Sequence, residues 1–150
     1  MMIPHVTDIA MLIYTVLPIT LQISLFGVFG YAGMLDYQYR RIPLRVWYPA
    51  FVAVPVIVVL LGGYYLLWPT VLSVVSFLLW KLKKIGGGDW IALTLAFFGL
   101  PEISPNIAVF LILVMIGYLL LHRGVEKRGA PFVTLLALAI GCAALYVAFP

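Results

Sequence analysis

From about residue 9 to residue 149 the chain is a succession of apolar runs, and its nine basic residues gather into three short clusters between them. Arg40, Arg41 and Arg45 form the first cluster. Lys81, Lys83 and Lys84 form the second, and Arg123, Lys127 and Arg128 the third. A helix that crosses a bilayer needs about 20 mostly apolar residues. Six segments meet or approach that length, at about 9–35, 46–62, 64–80, 89–100, 105–122 and 131–149, the fourth being short. Gly62, Gly63, Pro69, Pro101 and Pro105 punctuate the turns. A soluble domain carries about 25% charged residues. Here 9% are charged and 65% are hydrophobic. The expectation is an all-α polytopic membrane protein, one membrane-embedded domain over 1–150 with six transmembrane helices.

Six spans put all three basic clusters on one side. The positive-inside rule makes that side cytoplasmic and leaves both termini outside. Five spans would scatter the charges over both faces. The net charge of +4 is thereby explained by topology. The partner implied is the lipid bilayer of the cell membrane, not nucleic acid. Aromatic residues fall where an interfacial belt would want them: Trp47, Tyr48, Trp80 and Trp90 inside, Tyr64, Tyr65 and Trp68 outside. The stretch before the first apolar run has no Lys or Arg, so a cleavable signal peptide is not expected. The single cysteine, Cys142, makes no intrachain disulfide and reads as a small packing residue in the sixth span.

Five acids remain to be placed. Asp8 and Glu102 fall at the outer ends of spans, and Glu126 lies among basic neighbours in "HRGVEKR"; all three read as solvated groups. Asp36 ends the first span and Asp89 starts the fourth, so both belong to the cytoplasmic mouth of a six-span bundle. Ionisable groups at membrane depth are costly and mark function. The bland reading pairs each with a nearby Arg or Lys. Two acids at one depth, both with special flanking sequence, favour a shared site instead. Gly86, Gly87 and Gly88 permit backbone angles closed to other residues and a close approach of another chain. Asp89 meets the positive end of its helix dipole, Asp36 the negative end of its own. Carboxylates in contrasting environments can divide into one acid and one base. Whether these two meet is a matter for the fold.

The run Asp36-Tyr37-Gln38-Tyr39-Arg40-Arg41-Ile42-Pro43 resembles the first motif of the type IV prepilin peptidases, which include the archaeal preflagellin peptidases. That motif is an aspartate, four variable residues, then Arg-Ile-Pro. Gly86-Gly87-Gly88-Asp89 resembles the family's Gly-x-Gly-Asp motif, and "KRGAPFVTLLALAIG" is similar to the Pro-Phe segment opening its last helix. The resemblance covers roughly residues 30 to 145. Two positions depart from the pattern: Leu44 stands where Asn usually follows Ile-Pro, and Ile91 stands where many members have Lys. The cysteine-rich region of methylating bacterial members has no counterpart in the chain, so no methyltransferase activity is expected.

The resemblance implies an aspartic endopeptidase that removes basic leader peptides from prepilin-like or preflagellin-like membrane substrates at the cytoplasmic membrane face. Asp36 and Asp89 would be the catalytic pair, supported by Gly86, Gly88, Arg41, Ile42 and Pro43. They would activate a water molecule by general acid–base catalysis, and either could start as the base. No metal, cofactor or covalent intermediate is implied. The remaining lysines and arginines read as topological anchors. Presenilin-like proteases share the glycine-aspartate motif, but Leu35 precedes Asp36 and no Pro-Ala-Leu occurs. A small ion- or proton-translocating protein is the non-enzymatic alternative, although it would more naturally keep an acid near the midplane. A structural assembly subunit would leave the glycine-aspartate motif unexplained. No His-Glu-x-x-His or Gly-x-Ser-x-Gly run exists, and His5 and His122 fall near opposite faces, which argues against zinc and serine chemistry.

Overall fold

The computed structural model describes residues 6–39, 41–121 and 131–149. Arg40 of the first basic cluster, the third cluster of Arg123, Lys127 and Arg128, and also Glu126, His5 and His122 lie outside the described residues, as do the side chains of Asp8 and Tyr64. Every regular element among the described residues is helical. Six α-helices follow one another: α1 (Val6–Tyr39), α2 (Tyr48–Leu61), α3 (Leu67–Lys81), α4 (Gly87–Gly99), α5 (Ser104–Leu121) and α6 (Phe132–Ala148). Short 3-10 turns at Leu44–Trp47, Gly63–Leu66 and Pro101–Ile103 lead into α2, α3 and α5.

Three stretches are long and apolar enough to cross a membrane: Ile9–Tyr39, Leu44–Leu61 and Pro101–Leu120; α3 and α6 are shorter apolar helices. Their outward faces are as apolar as their inward ones. Val52 and Val59 of α2, and Ile112 of α5, are exposed. A helix that is hydrophobic all round belongs in a core or a bilayer. Hydroxyls on the long first helix are folded back onto it. Thr15 Oγ1 donates to the Met11 carbonyl (2.7 Å), Thr20 Oγ1 to Val16 (2.9 Å) and Ser24 Oγ to Thr20 (2.9 Å).

The helices stop where the chain chemistry requires it. Gly62 ends α2 with φ 76°, a left-handed angle that favours glycine. Pro101 follows Leu100, the last cap of α4, and opens the next turn. Pro69, expected to mark a turn, instead lies buried in the first turn of α3, where a missing N–H costs nothing.

Helix α1 packs against α2 and α6, α6 against α5, α2 against α4, and α4 against α3, which also touches α5. Helix α4 meets α5 and α6 as well, and it stands between α2 and α3, so it packs against four of the other helices. Ala92, Leu93, Leu95, Ala96, Phe97 and Gly99 bury it on almost every side. With 13 residues it is about 20 Å long, less than the ~30 Å of a hydrocarbon core. Its central position relieves it of spanning lipid by itself. Gly99 makes the position available: a Cβ there would meet Leu25 of α1 at 2.5 Å and Val54 of α2 at 3.1 Å.

Two sequence expectations need correcting. Trp47 is no belt residue. It is 4% exposed, inside the core, and sits edge-on to Phe29 with centroids 5.5 Å apart. Cys142 is exposed on α6, so it is not a packing residue. Tyr48 and Trp68 do face outward. Trp47→Ala should therefore lower stability by about 3 kcal/mol, and Trp68→Ala by less than about 0.5 kcal/mol. Reversible unfolding in mixed micelles measures both, and equal losses would contradict the assignment.

Candidate functional site

Asp36 lies in the last turn of α1 and points at the start of α6. Helix α6 begins after Pro131, which has no side-chain cap to offer. The first free N–H groups of a helix need acceptors. Asp36 Oδ2 supplies one: it accepts from the backbone N–H of Val133 (2.9 Å) and of Thr134 (3.3 Å). Thr134 returns a bond, its Oγ1 donating to the Gly33 carbonyl (2.7 Å). Gly33 marks a close approach of the two helices. A Cβ on it would stand 3.1 Å from Ala137 Cβ and 3.3 Å from Thr134 Cα. So Asp36 is held by the amide groups of a neighbouring helix, a role the bland sequence reading did not include. Its own helix ends against it, but α6 presents the positive end of a second dipole.

Asp89 is positioned locally. It stands three residues after Gly86, the N-cap of α4, and its Oδ2 accepts from the Gly86 N–H (3.1 Å). This is the carboxylate half of a capping box. A Cβ on Gly86 would lie 3.1 Å from that same oxygen, so glycine allows the carboxylate to fold back. Gly87 lies against the Trp80 indole, and Gly88 has open space around it. Contrary to expectation, none of these three glycines uses a left-handed angle. Among the described residues, Gly62 and Lys83 are the ones with positive φ.

Lys83, with φ 55°, makes the turn between α3 and α4. The Lys84 N–H donates to Leu79 O and the Lys83 N–H to Trp80 O, each at 2.9 Å. That pair of bonds is a Schellman ending, in which the left-handed residue is usually glycine. The turn is clamped by aromatic rings. Trp80 and Trp90 stack with centroids 5.1 Å apart and planes 12° apart. Phe77 packs against both, at 5.5 and 5.6 Å. Lys81 Nζ lies over Phe77 and Trp80. These tryptophans therefore form a cluster at the turn, beyond any belt role.

A hollow of about 600 Å³ opens beside Asp89, lined also by Lys83, Lys84, Gly86, Met115 and Phe132. Phe132 precedes Val133, whose amide Asp36 holds, so the two acids occupy the same end of the bundle. Asp36 is close enough to act electrostatically on Asp89, although it does not line the hollow itself. Both aspartates are half-buried. Of the motif residues, Arg41 and Pro43 are exposed; the Pro43 carbonyl accepts from the Val46 N–H at 3.0 Å and starts the turn into α2. Ile42 packs on the core, as does Ile91. Glu102 is exposed at the opposite end. Among the described residues no three His, Cys, Asp or Glu side chains come together to hold a metal.

Gly33 and Thr134 were not singled out in the sequence. The visible signals were "GYAG" three residues before Asp36, and a threonine three residues after Pro131. Neither points to the other without the fold. Comparison with known protein families, characterised proteins and solved structures returned no match.

Two outcomes follow for stability. Asp36→Ala should cost about 1–2 kcal/mol, whereas Asp36→Asn, which keeps an acceptor oxygen, should cost less than about 0.5 kcal/mol. Unfolding titrations that show equal losses would contradict the capping role. Lys83→Gly should stabilise the protein by about 0.5–1 kcal/mol through relief of its left-handed angle; a loss in the same titration would assign Lys83 a contact that outweighs the strain.

Proposed function

We propose that this chain is a membrane-embedded aspartic endopeptidase of the type IV prepilin peptidase kind, with Asp36 and Asp89 as its catalytic pair. The observation that carries the reading is the shared end of the bundle: Asp89 stands beside an open hollow, within electrostatic reach of an Asp36 that is fixed on α6. Each carboxylate is restrained through Oδ2. Each therefore offers Oδ1 to a water molecule and to the scissile amide. One carboxylate takes a proton from water as the oxygen attacks the carbonyl carbon. The other donates a proton, and the leaving amine departs protonated. Fixed carboxylates lose little freedom on reaching this geometry, which is where rate is gained.

In this reading all six helices cross the cell membrane, with both termini outside. The turns after α1, α3 and α5 carry the basic residues and face the cytoplasm. Helix α4 crosses packed among its neighbours. The substrate is a prepilin-like or preflagellin-like protein, and its short basic leader is cut off next to its apolar helix. The open hollow at the Asp89 turn is on the side where such a leader would emerge.

The test uses purified protein in detergent and a prepilin-like substrate, with the new N-terminus read by mass spectrometry. Asp36→Asn and Asp89→Asn should each reduce cleavage by about 10²–10⁴-fold. Because Asn at 36 retains the cap on α6, its loss of activity would reflect chemistry and not unfolding. Cleavage that survives either change would overturn the paired mechanism and leave Asp36 as a helix cap. A chelator should have no effect on the rate.

A further inference from the structure

Among the described side chains, the end of the bundle opposite the aspartates holds one acid, Glu102, and no lysine or arginine. Glu102 sits exposed in the Pro101–Ile103 turn between α4 and α5. The described basic residues are Arg41, Arg45, Lys81, Lys83 and Lys84, and they follow α1 or close α3, at the aspartate end. Lys84 precedes α4 and Glu102 follows it, so the length of that helix, about 20 Å, separates them. Glu102 therefore has no counter-charge among the described residues.

This acid borders a hollow of about 490 Å³, formed where the Gly63–Leu66 and Pro101–Ile103 turns meet. Tyr65 and Trp68 line it from around the start of α3, and Pro101 and Pro105 from the α4–α5 connection. Small-molecule sites range over about 300–1,000 Å³. Both aromatic residues are about half-exposed, so the hollow opens at the bundle surface. Its acidic side is firm. Pro101 and Ser104 are buried, and the Ser104 hydroxyl donates to the Pro101 carbonyl at 2.8 Å. The Ile103 N–H donates to the Leu100 carbonyl at 3.3 Å. Glu102 is thus carried on a fixed stretch of backbone, with one proline before it and another three residues after.

A carboxylate attracts a cation, and so do indole and phenol rings through their quadrupoles, tryptophan best of all. A hard metal ion asks for several oxygen ligands, whereas this hollow offers one carboxylate. A cation with an apolar skin suits the mixed lining, and an alkylammonium group is such a cation. Tryptophan and tyrosine at a helix end sit at the level of lipid headgroups. A zwitterionic phospholipid carries its ammonium group at that level. Its chains would then run beside Leu67 and Val71 of α3, both exposed.

We propose that the hollow beside Glu102 is a binding site for an alkylammonium group, and that the headgroup of a zwitterionic phospholipid occupies it. Glu102 supplies the charge, and Trp68 and Tyr65 supply the aromatic surface. The same carboxylate turns away an anionic phospholipid that has no ammonium group. Neither aspartate takes part, so the site is independent of the proteolytic reading.

The chain has four tryptophans, so 5-fluorotryptophan labelling gives four fluorine resonances, and Trp68→Phe identifies the one from Trp68. The full chain in maltoside micelles is titrated with phosphatidylcholine, with phosphatidylglycerol, and with glycerophosphocholine, which is the choline headgroup without chains. Phosphatidylcholine should shift the Trp68 resonance saturably. In Glu102→Gln the midpoint of that shift should rise about three-fold. Phosphatidylglycerol should give no saturable shift, and Glu102→Lys should invert the order of the two lipids. Unchanged resonances from Trp47, Trp80 and Trp90 establish that each variant is folded. If glycerophosphocholine saturates the shift at the concentration that phosphatidylcholine needs, the ammonium site stands but lipid is overturned as its occupant in favour of a free solute. Equal responses to the two lipids, or an unchanged midpoint in Glu102→Gln, would overturn the site and leave Glu102 a solvated acid beside belt aromatics.

Discussion

The carboxylate of Asp36 ties the last turn of α1 to the first turn of α6, across 97 positions of sequence. Helix α6 cannot start unaided at this place. Proline at its cap brings no side-chain acceptor, and free amides at membrane depth cost several kcal/mol. Asp36 meets two of them. The Thr134 hydroxyl and the missing side chain of Gly33 then hold the backbones together. With α1 and α6 joined at this end, and α5 beside α6, one wall of the bundle is set. Against it the short helix α4 finds a place that no lipid-exposed helix of its length could occupy.

The second acid is positioned by other means. Asp89 is held by the backbone of its own turn, and that turn is held by a Schellman ending and a stack of two tryptophans. One carboxylate is thus fixed by tertiary contact and the other by local structure. Aromatic stacking contributes about 0.5–1.5 kcal/mol per pair beyond its area. That is comparable to the strain that a left-handed lysine introduces. The α3–α4 hairpin can therefore tolerate Lys83 at a glycine position, and its charge lines the hollow beside Asp89. In the same hairpin the Ser73 and Thr94 hydroxyls and the Trp90 indole N–H reach no hydrogen-bond partner among the described residues.

Much of this was legible in the sequence because it depends on periodicity and on residues that act alone. Apolar runs located all six helices to within a few residues, and Gly62 and Pro101 mark turns as expected, whereas Pro105, like Pro69, lies in the first turn of a helix. Asp36 and Asp89 stood out because acids are rare in such a chain. What was not legible depends on partners far away in sequence. Nothing near Asp36 announces that its acceptor serves Val133 and Thr134. Trp47 resembled a belt residue because it sits near a span end, yet a neighbouring phenylalanine draws it into the core. The three glycines suggested a left-handed turn, whereas Lys83 makes it and Gly86 serves a close approach instead. Cys142 looked like packing because every residue around it is apolar, and apolar surroundings in a membrane chain do not distinguish inside from outside.

The central claim is that Asp36 and Asp89 form one coupled site. Isotope-edited infrared spectroscopy of labelled aspartate, in a lipid bilayer, follows the protonation of Asp89 directly through its carboxyl stretch. A coupled pair titrates as a unit. The account predicts that Asp36→Asn moves the midpoint of the Asp89 titration, in protein whose α6 cap is retained. An Asp89 midpoint that stays in place when the Asp36 charge is removed would contradict it.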